Sequence, residues 1–327
     1  MELRILSEDD VYRALPMRRA IEVMKRAFGQ LSAGQSVVPL RTRLQTDAGL
    51  ILLMPAFLQQ SRELGFKMVS IWGDNPSKGL PAILALVMVI DPDTGQPRAI
   101  INGEALTGLR TGAGGGLAAD LLARQEARVV AVFGSGVQAR AQLAAVREVR
   151  PIEEVRLVGR TAASVEAFAA EISASANPPK VTIPANRQAA VAGADIILAA
   201  TTSETPVFDG NDVSPGTHIT GVGSYAPHMQ EVDATTVKRC DKIVVDSRHA
   251  CLAEAGDLII PIEEGVIENT AIHGELGQIV NGDLSGREHD GEITFFKSVG
   301  VAVQDAAAAA EILKIAEAEN LGTMAKL

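Results

Sequence analysis

A chain of 327 residues is long enough for about two domains at ~150 residues each. Its 47% hydrophobic and 21% charged content excludes a disordered or collagen-like chain and leaves ample apolar material for a core. The net charge of −10, with no basic run, argues against a nucleic-acid partner, and Cys240 and Cys251 form no C-x-x-C pair, which argues against a disulfide framework.

The first thirty residues are too dense in charge for the apolar stretch of a signal peptide. The longest apolar run, residues 81–90 (PAILALVMVI), is far short of the roughly 20 residues that span a bilayer. The expectation is a cytoplasmic protein with no membrane partner. Ser7 with Asp10 predicts a helix start, and Pro16 suits the first turn of a second helix. There Ile21, Met24, Phe28 and Leu31 recur at helical spacing up to Gly34. Strand patterns follow at 41–45, 50–54, 65–71 and 83–90. DPDTGQP (91–97) then predicts a turn and 98–101 a returning strand. Successive strands joined by short loops predict a mostly antiparallel sheet. Residues 104–120 (EALTGLRTGAGGGLAAD) predict a helix that carries Arg110 and Thr111 despite five glycines between 108 and 116. Each interior glycine costs about 0.8–1.0 kcal/mol relative to alanine, so another backbone or a ligand is expected to come close.

From residue 128 the pattern changes. Strands at 128–133, 154–158, 195–201, 218–222 and 242–245 are interspersed with helices at 137–149 and 162–172, which predicts right-handed βαβ units and a parallel sheet covered on both faces. An alanine-rich helix over 301–319 closes the chain. The predicted fold class is α/β: a Rossmann-type doubly wound parallel sheet over 121–299, plus an α+β domain from 1–120 with 300–327.

The strongest local signal is VVAVFGSGVQARA, an apolar strand running into Gly134, Ser135, Gly136, Val137, Gln138 and Ala139 at a helix start. In this G-x-G-x-x-A pattern Gly134 permits the tight turn, Gly136 lets a pyrophosphate approach the backbone, and Ala139 leaves room for helix–strand packing. The helix N-terminus offers amides and partial positive charge to the phosphates. The next strand ends Leu157-Val158-Gly159-Arg160-Thr161, without the acid that holds a ribose 2′-hydroxyl. Arg160 and Thr161 suit a 2′-phosphate, so NADP(H) is favoured, with NAD(H) the alternative.

PLRTRL (39–44), LLMPA (52–56), GFKMVSIWGDNPSKGLP (65–81), LTGLRTGA (106–113), the GSGVQA loop and FKSVGVAVQDAAAA (296–309) together resemble the ornithine cyclodeaminase and μ-crystallin family. Archaeal alanine dehydrogenase and several ketimine reductases are among its relatives. The resemblance covers essentially the whole chain. It implies a homodimer in which the 1–120 with 300–327 domain binds substrate and dimerises, with the active site in the cleft beside the Rossmann domain. It further implies hydride transfer between a nicotinamide and the carbon of a carboxylate-bearing C–N bond. By the same match Arg41, Lys67 and Arg110 fall in the substrate pocket, where cationic groups suit a carboxylate. Thr111, Thr201, Val222, Gly223 and Ser298 join the glycine turn as cofactor-side residues. Lys67 lies between apolar strand residues, which fits a depressed pKa and a proton-donor role.

One departure bears on substrate. Tyr225 stands where the ornithine-cyclising members carry an aspartate, and Leu52 where they place an acid. A second, cationic amine on the substrate would lack its partners. The chain therefore resembles the members that reduce small ketimines or cyclic imino acids of the pyrroline-2-carboxylate type, or that aminate an oxo acid to an L-amino acid. Tyr225 and His228 become candidate proton donors or orienters. Ornithine cyclodeaminase, giving proline and ammonia, is one alternative, and an NADPH-dependent binding protein of μ-crystallin type is another. The five histidines show no zinc-site spacing, and residues 91–102 lack the closing acid of a calcium loop, so no metal is expected.

Overall fold

Strands β1 (Glu2–Leu6), β2 (Ser36–Val37), β3 (Thr42–Gln45), β4 (Leu50–Leu58), β5 (Glu63–Ile71), β6 (Ile83–Ile90) and β7 (Pro97–Asn102) form one sheet with the C-terminal strand Thr323–Lys326. These elements belong to the first of two units in the computed structural model, which describes residues 2–327. That unit takes the residues up to Arg110 together with Val301–Leu327. Strands β4 to β7 follow one another antiparallel, as the short connections dictate, while β1 joins β7 in parallel. Strand β4 runs further than its pattern predicts, through Pro55 to Leu58. On the β3/β2 side the ladder has a gap at this proline, since β3 pairs only as far as Leu53 and β2 begins at Phe57.

Helix α1 (Glu8–Ala14) starts in the Ser7–Asp10 capping box, and α2 (Met17–Ser32) follows Pro16, which is the cap residue rather than part of the first turn. The C-terminal helix Ala302–Glu319 packs on α2 and on strands β4, β5 and β6. Its Ala306, Ala307, Ala308 and Ala309 are buried, and side chains this small let the helix lie close to the sheet. Opposite Ala306 the strand also carries a glycine: a Cβ on Gly65 would stand 2.7 Å from the Met88 carbonyl oxygen. The sheet face under the helix buries Leu52, Met54, Ala56, Val87 and Val89, and Lys67 projects from the same face.

The second unit is Thr111–Gly300, which the chain enters along α3 (Gly103–Leu122). Its strands are β8 (Val129–Phe133), β9 (Glu154–Val158), β10 (Lys180–Thr182), β11 (Ile196–Ala199), β12 (His218–Gly221), β13 (Lys242–Val245), β14 (Ile272–Glu275) and β15 (Thr294–Lys297). They lie in the order β10-β9-β8-β11-β12-β15-β13-β14, every pair parallel. From β8 the chain builds outward to β10, then returns to the other side of β8 with β11. This is the doubly wound Rossmann topology, and its switch point lies between β8 and β11. Helices α4 (Val137–Val149) and α5 (Ala162–Ser173) make the first crossovers. The glycines of α3 serve α4: a Cβ on Gly112 would collide with the Ala141 carbonyl, and one on Gly115 with the Gln142 side chain. Gln142, fully buried, also donates to the Thr111 carbonyl at 2.8 Å.

Candidate active site

In the first unit, β5, α3 and the C-terminal helix bring two cations onto one carboxylate. Lys67 Nζ lies 3.0 Å from Asp305 Oδ1 and 2.9 Å from Oδ2, and Arg110 Nε donates to Oδ1 at 2.9 Å. Arg110 Nη1 donates to Gln304 Oε1 at 2.8 Å. All three charged side chains are buried, Lys67 to 2%, Arg110 to 4% and Asp305 to 1% exposure. Half-buried Arg41 is near enough for its charge to act on Lys67. Burial draws the Lys67 ammonium down from 10.5 to about 8. The Arg110 charge adds to that, Asp305 opposes it, and Arg41 contributes a little more. Two buried cations, Lys67 and Arg110, against the one carboxylate of Asp305 leave a surplus of one positive charge within this set.

In the second unit the glycine turn has the shape a pyrophosphate requires. Gly134 adopts φ +118°, in the left-handed half of the map, and packs where a Cβ would strike the Ala200 carbonyl. At Gly136 a Cβ would meet nothing within 4 Å, and no side chain caps the first amides of α4. Val137 opens that helix 61% exposed, and Gln138 Oε1 is buried with no hydrogen-bond partner among the described residues. Open space over uncapped amides fits a dinucleotide diphosphate. Beyond β9, Ser164 Oγ links Ser135 Oγ (2.9 Å) to Thr161 Oγ1 (2.7 Å), with Arg160 exposed beside them. A hollow of about 310 Å³ opens there, lined among others by Val158, Gly159, Glu166, Asn186 and Arg187.

The loops after β11 and β12 share one anchor. Glu231 Oε1 accepts from Thr201 N at 2.5 Å and Thr201 Oγ1 at 2.8 Å, and Oε2 accepts from Gly223 N at 2.6 Å and Ser224 N at 3.0 Å. Burial raises this carboxyl above the usual range, against the pull of Lys297. Val222 N donates to the Ala199 carbonyl at 3.0 Å. Asp246 anchors the loop after β15 by accepting from Ser298 Oγ at 2.7 Å and Gly300 N at 2.7 Å. Thr201, Val222, Gly223 and Ser298 thus stand at the carboxyl ends of neighbouring parallel strands, beside the glycine turn. Tyr225 and His228 sit on the loop beyond Ser224. Tyr225 is 39% exposed, and His228 is exposed with Nε2 4.0 Å from Glu204.

The profile of the ornithine cyclodeaminase/mu-crystallin family matches residues 1–320. The chain belongs to this family. Its relatives include a Delta(1)-pyrroline-2-carboxylate reductase of Bacillus cereus, 39% identical over 303 residues, 92% of this chain and 93% of that protein. Among solved structures, the Thermococcus litoralis Delta(1)-pyrroline-2-carboxylate reductase in complex with NADH and L-proline superposes with TM-score 0.93 at 40% identity, covering 98% of this chain and 99% of its own. An archaeal alanine dehydrogenase dimer with bound NAD gives TM-score 0.93 at 33% identity, with full coverage of both chains.

Within the family frame, sequence reasoning passed over Asp305, Gln304, Glu231, Asp246 and Ser164. Asp305 and Gln304 lie inside a quoted motif, but an acid at the head of an alanine-rich helix reads as a solvent-facing first-turn residue. Glu231 and Asp246 look like ordinary loop acids. The signal that marks them is how many amides each one satisfies, which only the fold displays.

Proposed function

We propose that this chain is an NAD(P)H-dependent imine reductase. It would reduce a small ketimine carboxylate of the pyrroline-2-carboxylate type to the L-amino acid. The observation that carries the reading is the buried cationic surplus around Lys67 and Arg110. A buried positive charge in excess of its carboxylate is costly, and a substrate carboxylate neutralises it with charge-assisted hydrogen bonds. The bound nicotinamide supplies the hydride. Arg110 and Arg41 orient the carboxylate, and Lys67, drawn to about 8, holds a proton at Nζ within reach of neutral pH. Overall one hydride goes to the imine carbon and one proton to its nitrogen.

Leu52 supports an imine over a diamine. It is buried on the same sheet face as Lys67, so that wall offers a second substrate amine no anion. The similarity to pyrroline-2-carboxylate reductases points the same way. Initial rates with pyrroline-2-carboxylate, piperideine-2-carboxylate, and pyruvate plus ammonia test the reading. Turnover of a cyclic imine supports it. No NAD(P)H oxidation with any of them, or ammonia release from ornithine instead, overturns it.

The finer cofactor reading is NADPH, with Arg160 and the Thr161–Ser164 hydroxyls around the 2′-phosphate. Arg160→Ala is expected to lower kcat/KM for NADPH by roughly 10- to 100-fold, the worth of a charged hydrogen bond, with NADH changed by less than about threefold. Equal losses with both cofactors would remove the assignment. Among the described residues no helix is long and apolar enough to cross a membrane. A cytoplasmic location is in keeping with the free thiols Cys240 and Cys251.

The same reading includes a homodimer. The sheet face turned away from the C-terminal helix carries the rows Leu44–Ile51–Ser70–Leu84 and Leu53–Met68–Leu86, with Leu44 53%, Leu53 38% and Leu84 45% exposed. A largely apolar, part-exposed sheet face of this kind marks an association surface. The double variant Leu53→Glu/Leu84→Glu is expected to sediment as a monomer where the parent sediments as a dimer. A monomeric parent would contradict this.

A further inference from the structure

Resting on the imine-reductase reading, we propose that Asp305 is a positioning residue: its buried carboxylate holds the Lys67 ammonium and the Arg110 guanidinium side by side and keeps the lysine charged for the incoming substrate. Asp305 stands in the first turn of the C-terminal helix, where the helix dipole favours an anion. The residue before it fixes that turn. Gln304 Oε1 accepts from the Val301 amide at 3.0 Å and from Arg110 Nη1 at 2.8 Å, so the helix cap and the guanidinium lock one another. Asp305 then closes the set with Oδ1 shared between Arg110 Nε and Lys67 Nζ and with Oδ2 2.9 Å from Nζ. A carboxylate bonded to both cations dictates where each can point.

The groups around Lys67 settle the direction of its effect. From the C-terminal helix it faces Asp305. From α3 it faces Arg110 and the Thr107 hydroxyl at 3.5 Å, and Arg41 acts from the segment before β3. Its strand neighbours Met54 and Val87 carry no charge. Desolvation and both arginines favour the neutral amine, and Asp305 is the one charge opposing them. Removing that charge discharges the lysine at lower pH. A carboxylate needed only for folding would leave the lysine's titration in the active enzyme where it was.

The test is the pH dependence of kcat/KM for pyrroline-2-carboxylate, which reports the free enzyme. The parent is expected to lose activity on an alkaline limb near pH 8. Asp305→Asn should move that limb to lower pH by about one unit or more and cut kcat/KM at pH 7.5 by roughly tenfold or more, with cofactor affinity within about twofold. Asp305→Glu, which keeps the charge, should leave the limb in place even if geometry lowers the rate. Gln304→Glu adds a negative charge beside Arg110 and should move the limb to higher pH, a reading that stands if Asp305→Asn does not fold. A parent that turns over the imine while neither charge change moves the limb overturns the role of Asp305 alone. A parent with no imine turnover removes the reductase reading and this role together.

Discussion

Lys67→Met is expected to lower kcat/KM for pyrroline-2-carboxylate by about 10³-fold while leaving NAD(P)H affinity within about twofold. Truncating one partner of a buried, hydrogen-bonded charge pair costs about 2–5 kcal/mol, or roughly 30- to several-thousand-fold. Methionine keeps the stem volume between Met54 and Val87, so packing on the sheet is preserved. Arg110→Met should be of the same order. It also strips Asp305 Oδ1 and Gln304 Oε1 of a donor, so its thermal stability should fall below that of Lys67→Met. Initial rates, cofactor titration by fluorescence and thermal melts separate these effects. Near-parental rates for Lys67→Met would remove the cation cluster from catalysis.

The second large effect is a contrast between the two glycines of the turn. Gly136→Val should leave the melting temperature nearly unchanged, because a Cβ there meets no protein atom and the backbone angles suit any residue. It should nevertheless weaken cofactor binding by about 100-fold or more, since the side chain fills the space over the α4 amides that a pyrophosphate would use. Gly134→Ala should do the reverse first. Positive φ and a collision with the Ala200 carbonyl are expected to destabilise the protein by about 2–4 kcal/mol. Isothermal titration with NADH and NADPH, alongside melts, reads both. Unchanged cofactor affinity in a folded Gly136→Val would move the dinucleotide off the turn.

The features legible in the sequence are those set by local pattern. The alternation after residue 128 gave the parallel sheet, and the strand-to-helix glycine turn falls at Phe133–Val137 as read. Short strands buried on both faces were harder. β15, Thr-Phe-Phe-Lys, sits centrally between β12 and β13, yet four residues carry no periodicity to read. β10 and β14, at the two edges of the sheet, escaped because three and four residues likewise carry no periodicity. Lys67 and Arg110 were singled out through motif resemblance. Asp305, 238 residues from Lys67 in sequence, was not, because partner choice between distant buried charges is decided by tertiary packing. The α3 glycines were read as a place of close approach, and α4 is what comes close, by the Ala141 backbone at Gly112 and the Gln142 side chain at Gly115.

Following deuterium tests the central claim most directly. The enzyme would be supplied with pyrroline-2-carboxylate and reduced cofactor deuterated at the transferred C4 position, and the product analysed by NMR and mass spectrometry. L-Proline bearing one deuterium at its α-carbon, formed in step with cofactor oxidation, is the result expected of hydride delivery to a carboxylate-anchored imine. Proline without the label, or cofactor oxidation with the imine recovered unchanged, would contradict it.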